Sequence, residues 1–298
     1  MSAPIAVTAR IDRMRFTPAF SYLKNTGHPE GMLAGMGLLA SIDGRSSHRA
    51  GDGTVIVAHR GGAGLWVENS ISAFRRALAA DYRAVEFDVH FTRDGVPVVI
   101  HDLTVDRTTD GQGAVADMSL ADLRRLRLAG TDGEVVPTLA ELLDLLAPSD
   151  CAAIVEIKFS ADAPDLRVRC RTLADALDAA SMRDRVTITA FDWRAIAVMA
   201  ELGRGFDLTG VLRASDVGGA AGATAAAQRV KAIGGRQLGL QFQAVDAGVV
   251  AACAAEGVGL GVWTPNAADD LKRLQRLGVG WIITDRPDLA RMEEERTP

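Results

Sequence analysis

Acidic side chains alternate with apolar ones in the segment EFDV, which places Glu86 and Asp88 on one face of an extended strand. The later segment VEIK repeats this pattern with Glu156 and Lys158. Two carboxylates about 4 Å apart repel by roughly 4 kcal/mol at an effective dielectric near 20, so both stay ionised only where a cation or strong donors share them. We therefore predict that Glu86, Asp88 and Glu156 hold one divalent ion, in preference to a plain ion-pair network with Lys158 or an arginine. Oxygen ligands favour Mg²⁺ or Ca²⁺ over zinc.

A histidine and an arginine end the first β-rich segment, in the motif HRGG. His59 can exchange protons near neutral pH, and the glycines after Arg60 let a ligand approach the backbone. A lone histidine at a strand end is more often structural, but this one ends the strand that precedes the carboxylate strand. The motif ENSISAF follows, in which Asn69 fits a helix N-cap and Glu68 favours the positive end of the helix. Glu68 is also a candidate for the substrate pocket.

A second histidine lies on the return arm of a predicted hairpin, FTRDGVPVVIHD, with Asp94 and Gly95 at the turn. If the turn centres between Arg93 and Asp94, position i pairs with position 187 minus i. That register places His101 beside Glu86. The return strand therefore brings His101 back to the carboxylates, and with His59 it makes two histidines that can exchange protons near neutral pH.

Other polar and aromatic residues at strand ends receive lesser roles. His90 shares the face of the two acids and is expected to support the hairpin rather than to bind the metal. Trp263 can form a wall of the substrate pocket, although packing is the default role of a tryptophan, and Phe191 and Gln241 fall in the same class. Asp285, followed by an arginine and a proline, is interpreted as the turn from the last strand into its helix.

Eight β-rich segments position these residues, and amphipathic segments such as NSISAFRRALAA separate them. The segments are VIVAH, AVEFDV, CAAIVEIK, VTITAF, LTGVL, LGLQF, GLGVWT and WIITD. Eight βα repeats in about 245 residues predict an α/β fold, a (β/α)8 TIM barrel, whose sites lie at the C-terminal ends of the strands. A doubly wound open sheet is the alternative, but it offers no ring of strand ends to gather the site.

One long passage interrupts the repeats after the second barrel strand, at about residues 90–136. It begins with the hairpin and continues through TTDGQG and SLADLRRLRL, which we interpret as a small cap over the barrel mouth or as a plain surface excursion. Residues 53–298 are therefore expected to form the barrel domain with this insertion. Residues 1–52 lack a clear period and are expected to form an N-terminal extension of unknown role.

Composition restricts the class of protein. The chain has 298 residues, 48% hydrophobic and 24% charged, with a net charge of −5 and a pI near 5.6, which gives no electrostatic reason to expect nucleic acid. Cys151, Cys170 and Cys253 are widely spaced and are expected to be buried in a reducing cytoplasm. No run approaches the roughly 18 apolar residues that cross a bilayer, so no stable membrane insertion is predicted. The apolar segment GMLAGMGLLA lacks a basic region before it, which favours a cytoplasmic location over secretion.

Taken together, the motifs resemble the glycerophosphodiester phosphodiesterase family, over about Val55 to Leu289. The matching segments are AHRGGAGLWVENSISAF, EFDVHFTRDGVPVVIHD, VEIK and WIITDRPDL, in the order of the family. This chain has ENS where the family commonly has ENT, which keeps a hydroxyl. The resemblance implies roles for seven residues: metal ligation by Glu86, Asp88 and Glu156, acid–base work by His59 and His101, and phosphate contact by Arg60 and Lys158.

The resemblance also implies a reaction, the metal-dependent hydrolysis of glycerophosphodiesters to sn-glycerol 3-phosphate and an alcohol. The strand ends show no obvious serine or cysteine nucleophile, and the resemblance implies that a substrate hydroxyl attacks phosphorus to give a cyclic phosphate. The alternative is a lysophospholipase D type activity on the same scaffold, which needs an apolar groove for an acyl chain. A non-catalytic phosphate-binding barrel is disfavoured because the acids and histidines are all present.

Overall fold

A computed structural model describes residues 53–159, 162–163 and 165–291 of the chain. The predicted extension, residues 1–52, lies outside the described residues. The strands are β1 Val55–Ala58, β2 Ala84–Phe91, β3 Pro97–Val99, β4 Ala152–Ile157, β5 Val186–Ala190, β6 Asp207–Leu212, β7 Gln237–Gln241, β8 Gly259–Trp263 and β9 Trp281–Thr284. The α-helices span Ile71–Ala79, Leu120–Leu123, Leu139–Leu146, Leu166–Ala179, Trp193–Glu201, Gly219–Ala232, Ala247–Ala255, Ala268–Arg276 and Pro287–Arg291.

The strands form a closed parallel barrel. The eight strands other than β3 pair with one another in parallel, and β1 pairs with both β2 and β9, which closes the sheet. Helices lie between successive barrel strands, as parallel connections require. The predicted (β/α)8 barrel is therefore confirmed, and the open sheet is excluded because β1 has a partner on each side.

Strand β2 is buried along its whole length, so its alternating charges do not form a solvated surface. Its apolar residues face the helices, where the rings of Phe87 and Phe74 meet edge to face at 6.1 Å between centroids. Its acids lie on the opposite face of the strand, towards the barrel interior, because side chains alternate along a strand. The prediction that the barrel interior holds these acids follows directly from this alternation.

The hairpin from β2 to β3 differs by one residue from the predicted register. His90 pairs with Val98, so that position i pairs with position 188 minus i instead of 187 minus i. The cause is a three-residue loop centred on Asp94, in which Gly95 takes the left-handed conformation at φ 79°. The ladder ends before His101, which therefore lies beyond the paired part of the hairpin rather than opposite an acid of β2.

The passage between β3 and the helix Leu139–Leu146 forms a small body around its own apolar cluster. It contains a 3-10 turn at Val115–Asp117 and the short helix Leu120–Leu123, which Ser119 starts with a capping box. The cluster consists of Val98, Ile100, Val105, Val115, Leu123, Leu128 and Val136. This body occupies the part of the chain in which the sequence predicted an insertion.

The three cysteines are buried and unpaired, and burial raises the pKa of the Cys151 thiol to about 12. They therefore pack as small apolar side chains, as the sequence predicted. Among the helices that the structure describes, none combines the length and the apolar character required to cross a bilayer.

Candidate active site

A cavity of about 510 Å³ opens where the barrel strands end. Seven of the nine residues that the sequence predicted for the site line this cavity: His59, Arg60, Glu86, His101, Glu156, Lys158 and Trp263. The other two, Glu68 and Asp88, lie behind this wall and contact Arg60. The strand ends therefore bring together residues that are up to 204 positions apart in the sequence.

The three predicted metal ligands form one cluster. Strand pairing sets Asp88 beside Glu156, and Glu86 lies two residues before Asp88 on the same face of β2. One carboxylate oxygen from each of the three residues lies within 4.8 Å of those of the other two. Asp88 is fully buried and Glu86 is 2% exposed. The cluster therefore has the ligand type and the spacing that a hard divalent cation requires.

The electrostatics of the cluster agree with a cation site. Burial raises the pKa of Glu86 well above its ordinary value, and the charges of Asp88 and Glu156 add to this effect. Burial also raises the pKa of Glu156 to about 7, against the opposing effect of Lys158. Asp88 Oδ1 has no hydrogen-bond partner within the described part of the chain. The carboxylates therefore fit a bound divalent ion, which would satisfy both the charge and this oxygen.

Two basic side chains border the cluster. Lys158 Nζ lies 2.7 Å from Glu156 Oε1 and 3.5 Å from Asp88 Oδ1. Arg60 Nε lies 3.4 Å from Asp88 Oδ2, and the Arg60 backbone N–H donates to Glu86 Oε2 at 3.1 Å. Lys158 and Arg60 hold the pKa of Asp88 below its ordinary value despite its burial. An ion-pair network thus exists beside the carboxylates, but its two cations cannot compensate all three carboxylates when each is ionised.

Each of the two predicted acid–base histidines is oriented by a carboxylate. The Nδ1–H of His59 donates to Asp285 Oδ1 at 2.5 Å, and the Nδ1–H of His101 donates to Asp102 Oδ1 at 2.6 Å. Because a carboxylate only accepts, the proton belongs on Nδ1, and Nε2 of each ring remains available for proton transfer. Burial lowers the pKa of His101, although the charge of Asp88 opposes this shift. Burial thus favours the neutral form of the His101 imidazole.

Asp285 is a site residue that sequence reasoning missed. We interpreted it as part of the turn after the last barrel strand, but it also holds His59 and accepts from Asn266 Nδ2 at 2.6 Å. The available signal was the closure of the barrel, since the first and last strands are neighbours and both end at the cavity. His90 occupies its expected supporting place, where its Nε2–H donates to the backbone oxygen of His101 at 3.1 Å.

The predicted helix cap was wrong by one residue. Ser70, rather than Asn69, caps the helix Ile71–Ala79, because its hydroxyl accepts from the backbone N–H of Ala73. Asn69 takes the left-handed conformation at φ 55° and donates from Nδ2 to Asp88 Oδ2 at 2.9 Å. Asparagine tolerates this conformation better than most residues. Asn69 thus contacts the carboxylate cluster, and sequence reasoning missed this role of Asn69.

Aromatic side chains form another part of the cavity wall. The rings of Phe191 and Trp263 meet edge to face at 5.3 Å between centroids, and the indole N–H of Trp263 donates to the Gly239 backbone oxygen. The guanidinium carbon of Arg213 lies 4.8 Å from the centre of the Phe191 ring. Gln241, placed in the same class by the sequence, instead accepts from a backbone N–H at Ala214 through its Oε1.

Comparison with known proteins agrees with this geometry. Residues 59–289 match the glycerophosphoryl diester phosphodiesterase family. The glycerophosphodiester phosphodiesterase of Caldanaerobacter subterraneus is 32% identical over 242 residues, which cover 79% of this chain and 95% of the relative. A crystal structure from Agrobacterium tumefaciens, described as a glycerophosphoryl diester phosphodiesterase, is 30% identical with a TM-score of 0.73, and the match covers 82% of this chain and 99% of that one.

A phosphodiesterase of Oleispira antarctica, solved in complex with the product sn-glycerol-3-phosphate, matches with a TM-score of 0.73 over 80% of this chain and 96% of that one. Its sequence is 22% identical, so this similarity shows the fold alone. The resemblance that the motifs indicated is confirmed by the family match and by the Caldanaerobacter relative. The chain therefore belongs to the glycerophosphoryl diester phosphodiesterase family, a family of hydrolases.

Proposed function

We propose that this chain is a metal-dependent phosphodiesterase that hydrolyses glycerophosphodiesters to sn-glycerol 3-phosphate and an alcohol. The observation that carries the proposal is the cavity itself, which is lined by two acids of the carboxylate cluster, two basic side chains and two oriented histidines. Family membership and the name of the Caldanaerobacter relative support the choice of substrate.

The metal site of the proposed enzyme consists of Glu86, Asp88 and Glu156. Their all-oxygen donor set and negative charge suit Mg²⁺ or Ca²⁺. Asn69 donates to one oxygen of Asp88, and the other oxygen has no hydrogen-bond partner among the described residues. When bound, the ion would supply positive charge to the phosphate oxygens of the substrate.

Arg60 and Lys158 bind the phosphate in this proposal. Both lie beside the carboxylate cluster and line the cavity. Burial opposes the charge of Lys158, yet Glu156 and Asp88 raise its pKa above the ordinary value, so it stays cationic at neutral pH. Two fixed cations are complementary to the negative charge that develops on the phosphate oxygens during displacement.

The histidines move protons in two steps. In the first step one histidine Nε2 accepts the proton of the glycerol 2-hydroxyl as that oxygen bonds to phosphorus, and the other histidine protonates the departing alcohol as its P–O bond breaks. In the second step water attacks phosphorus and gives its proton to the second histidine, while the bond from phosphorus to the 2-oxygen breaks and the first histidine returns its proton to that oxygen, which yields sn-glycerol 3-phosphate. No serine or cysteine of the described residues lines the cavity, which favours a nucleophile that belongs to the substrate.

A lysophospholipase D type activity is the second candidate. The observation that favours it is the aromatic wall of Phe159, Phe191 and Trp263, an apolar surface that an acyl chain can contact. The wall lies beside Lys158, whose ammonium is 5.7 Å from the centre of the Phe191 ring. The matched family and the Caldanaerobacter relative are both named for glycerophosphodiesters, so we favour deacylated substrates.

A single assay series tests both candidates. The metal-free chain is expected to be inactive on glycerophosphocholine and to recover with Mg²⁺ or Ca²⁺. Glu156→Gln should lower kcat/KM by about 10²-fold or more, because part of the charge stabilisation at phosphorus is lost. Glu201→Gln, at an exposed glutamate that is 59% accessible, is the matched control and should keep full activity.

The choice of substrate is read from the same preparations. We expect kcat/KM to be higher for glycerophosphocholine than for its acylated lyso form. A clear preference for the lyso form would favour the second candidate. Full activity in the presence of EDTA would contradict the metal-dependent mechanism for either substrate.

A further inference from the structure

We propose that Arg107, in the insertion after β3, is a positioning residue that sets both the phosphate-binding Arg60 and the acid–base residue His101. Arg107 donates hydrogen bonds to Glu68, which binds Arg60, and to Asp102, which binds His101. The inference rests on the proposed function, which assigns roles to Arg60 and His101. It gives the insertion a part in catalysis that its sequence did not indicate.

The guanidinium of Arg107 lies between two carboxylates from different parts of the chain. Its Nη1 and Nη2 donate to Glu68 Oε2 and Oε1 at 2.7 and 2.8 Å. Its Nε and Nη2 donate to Asp102 Oδ2 and Oδ1 at 2.6 and 3.1 Å. The paired donors on each side match the two-oxygen geometry of a carboxylate, which only arginine offers.

Both carboxylates use the same oxygens to hold a residue of the cavity wall. Glu68 Oε1, which accepts from Arg107, also accepts from Arg60 Nη1 at 3.0 Å. Asp102 Oδ1, which accepts from Arg107, also accepts from the Nδ1–H of His101 at 2.6 Å. One continuous chain of contacts therefore joins Arg60, Glu68, Arg107, Asp102 and His101.

Arg107 itself does not line the cavity, so it acts through these carboxylates rather than on the substrate. A half-exposed ion pair usually contributes little to stability. The two carboxylates are less exposed than the arginine, at 17% for Glu68 and 28% for Asp102. Each also accepts a hydrogen bond from a residue of the cavity wall. We therefore expect the loss of Arg107 to affect geometry more than stability.

The main test replaces Arg107 and compares the variant with a matched surface arginine. Arg107→Met should lower kcat/KM for glycerophosphocholine by about 10²-fold, the usual effect of a misplacement near 1 Å. Arg107→Lys should recover only part of this loss, because an ammonium lacks the fork. Arg125→Met is the control, since Arg125 is 75% exposed and pairs only with Asp122 among the described residues. It should retain the unmutated kcat/KM.

Double variants distinguish positioning from a general structural role. In an Asp102→Asn background, Arg107→Met should chiefly raise KM, because only the connection through Glu68 to the phosphate-binding Arg60 remains to be broken. In a Glu68→Gln background, Arg107→Met should chiefly lower kcat, because only the connection through Asp102 to His101 remains to be broken. Effects that simply multiply, with the same KM and kcat changes in both backgrounds, would overturn the proposal.

A readout without turnover tests the connection to His101 separately. The imidazole nitrogen NMR signals of His101 should change in Arg107→Met, while those of His59, which Asp285 holds, should not. His101→Gln assigns the signal. An unchanged His101 signal would overturn the proposal whether or not the chain hydrolyses glycerophosphocholine. Inactivity of the unmutated chain on that substrate would instead count against the proposed function.

Discussion

At the scale of single residues, the proposed chemistry depends on which carboxylates are compensated and which are not. Asp285 and Asp102 each accept a hydrogen bond from a histidine N–H. Asp88 accepts one from Asn69 and has two cations beside it. Within the carboxylate cluster, burial raises the pKa values of Glu86 and Glu156. These two carboxylates are therefore the ones that a divalent ion would stabilise most in ionised form.

Metal affinity should consequently depend on pH near neutrality. The raised pKa of Glu156, about 7 against an ordinary 4.5, means that a proton occupies this carboxyl at pH 6 and must leave before an ion binds. We expect Ca²⁺ to bind about tenfold more weakly at pH 6 than at pH 8. Calorimetric titration in two buffers with different heats of ionisation measures both the affinity and the released proton. Equal affinity at the two pH values, without proton release, would contradict this prediction.

The same raised pKa affects the stability of the ion-free protein. Between pH 4.5 and about 7 the folded state binds this proton more strongly than the unfolded chain does. The contribution of this carboxyl to folding is therefore most favourable at the acid end of that range and declines as pH rises through it. A bound ion should remove this decline, which thermal unfolding with and without Ca²⁺ would detect.

At the scale of elements, strand ends and their loops decide which side chain reaches the site. The alternation in EFDV and VEIK predicted the acidic faces of β2 and β4, and the strand pairing bears this out. The hairpin register failed by one residue because Gly95 makes a three-residue loop, which the dipeptide Asp-Gly does not distinguish from a two-residue one. A local sequence pattern therefore predicts which face of a strand a side chain occupies more securely than it predicts the pairing register of a hairpin.

The loop between β1 and the helix Ile71–Ala79 shows a similar limit. Asparagine and serine are both good N-caps, and the sequence alone does not decide between Asn69 and Ser70. The decision comes from tertiary structure, because Asp88 on β2 offers an acceptor that engages the Asn69 amide. Arg107 escaped sequence reasoning for the same reason, since its partner Glu68 is 39 residues away.

Substitutions of the adjacent residues Asn69 and Ser70 should affect activity and stability separately. Asn69→Gly removes the donor to Asp88 but tolerates the φ of 55°, so kcat/KM should fall by about 10- to 100-fold with little change in fold. Ser70→Ala removes the cap and should lower the free energy of unfolding by about 1 kcal/mol while leaving kcat/KM nearly unchanged. Urea unfolding and turnover of the two variants provide the comparison. The opposite assignment of effects would return the capping role to Asn69.

At the scale of the whole molecule, barrel closure brings the first and last strands together and so joins His59 to Asp285. The eight β-rich segments sufficed to predict this closure, because only a ring of strand ends gathers residues from so many segments. The cytoplasmic location and the lack of a nucleic-acid partner stay predictions from the sequence, and residues 1–52 stay an expected extension of unknown role. The barrel itself gathers the acids, cations and histidines around one cavity, and the group that attacks phosphorus in the proposed reaction is the next point to test.

A substrate analogue identifies that group. If the glycerol 2-hydroxyl attacks phosphorus, a diester in which hydrogen replaces this hydroxyl should still bind, because its phosphate can still meet Arg60 and Lys158. It should hardly react, since the cavity supplies no serine or cysteine in its place among the described residues. Phosphorus NMR during turnover of the true substrate should detect a transient cyclic phosphate.

Histidine variants complete the argument. General acid or base assistance contributes typically about 10²- to 10⁴-fold, so His59→Ala and His101→Ala should each lose about that much on the true substrate. On the deoxy analogue no hydroxyl needs a base, so at least one of the two substitutions should have a much smaller effect. The four rates, two variants on two substrates, are compared with those of the unmutated chain. Equal turnover of both substrates by the unmutated chain would mean that water attacks phosphorus directly, and the cyclic intermediate would have to be abandoned even if the metal site is correct.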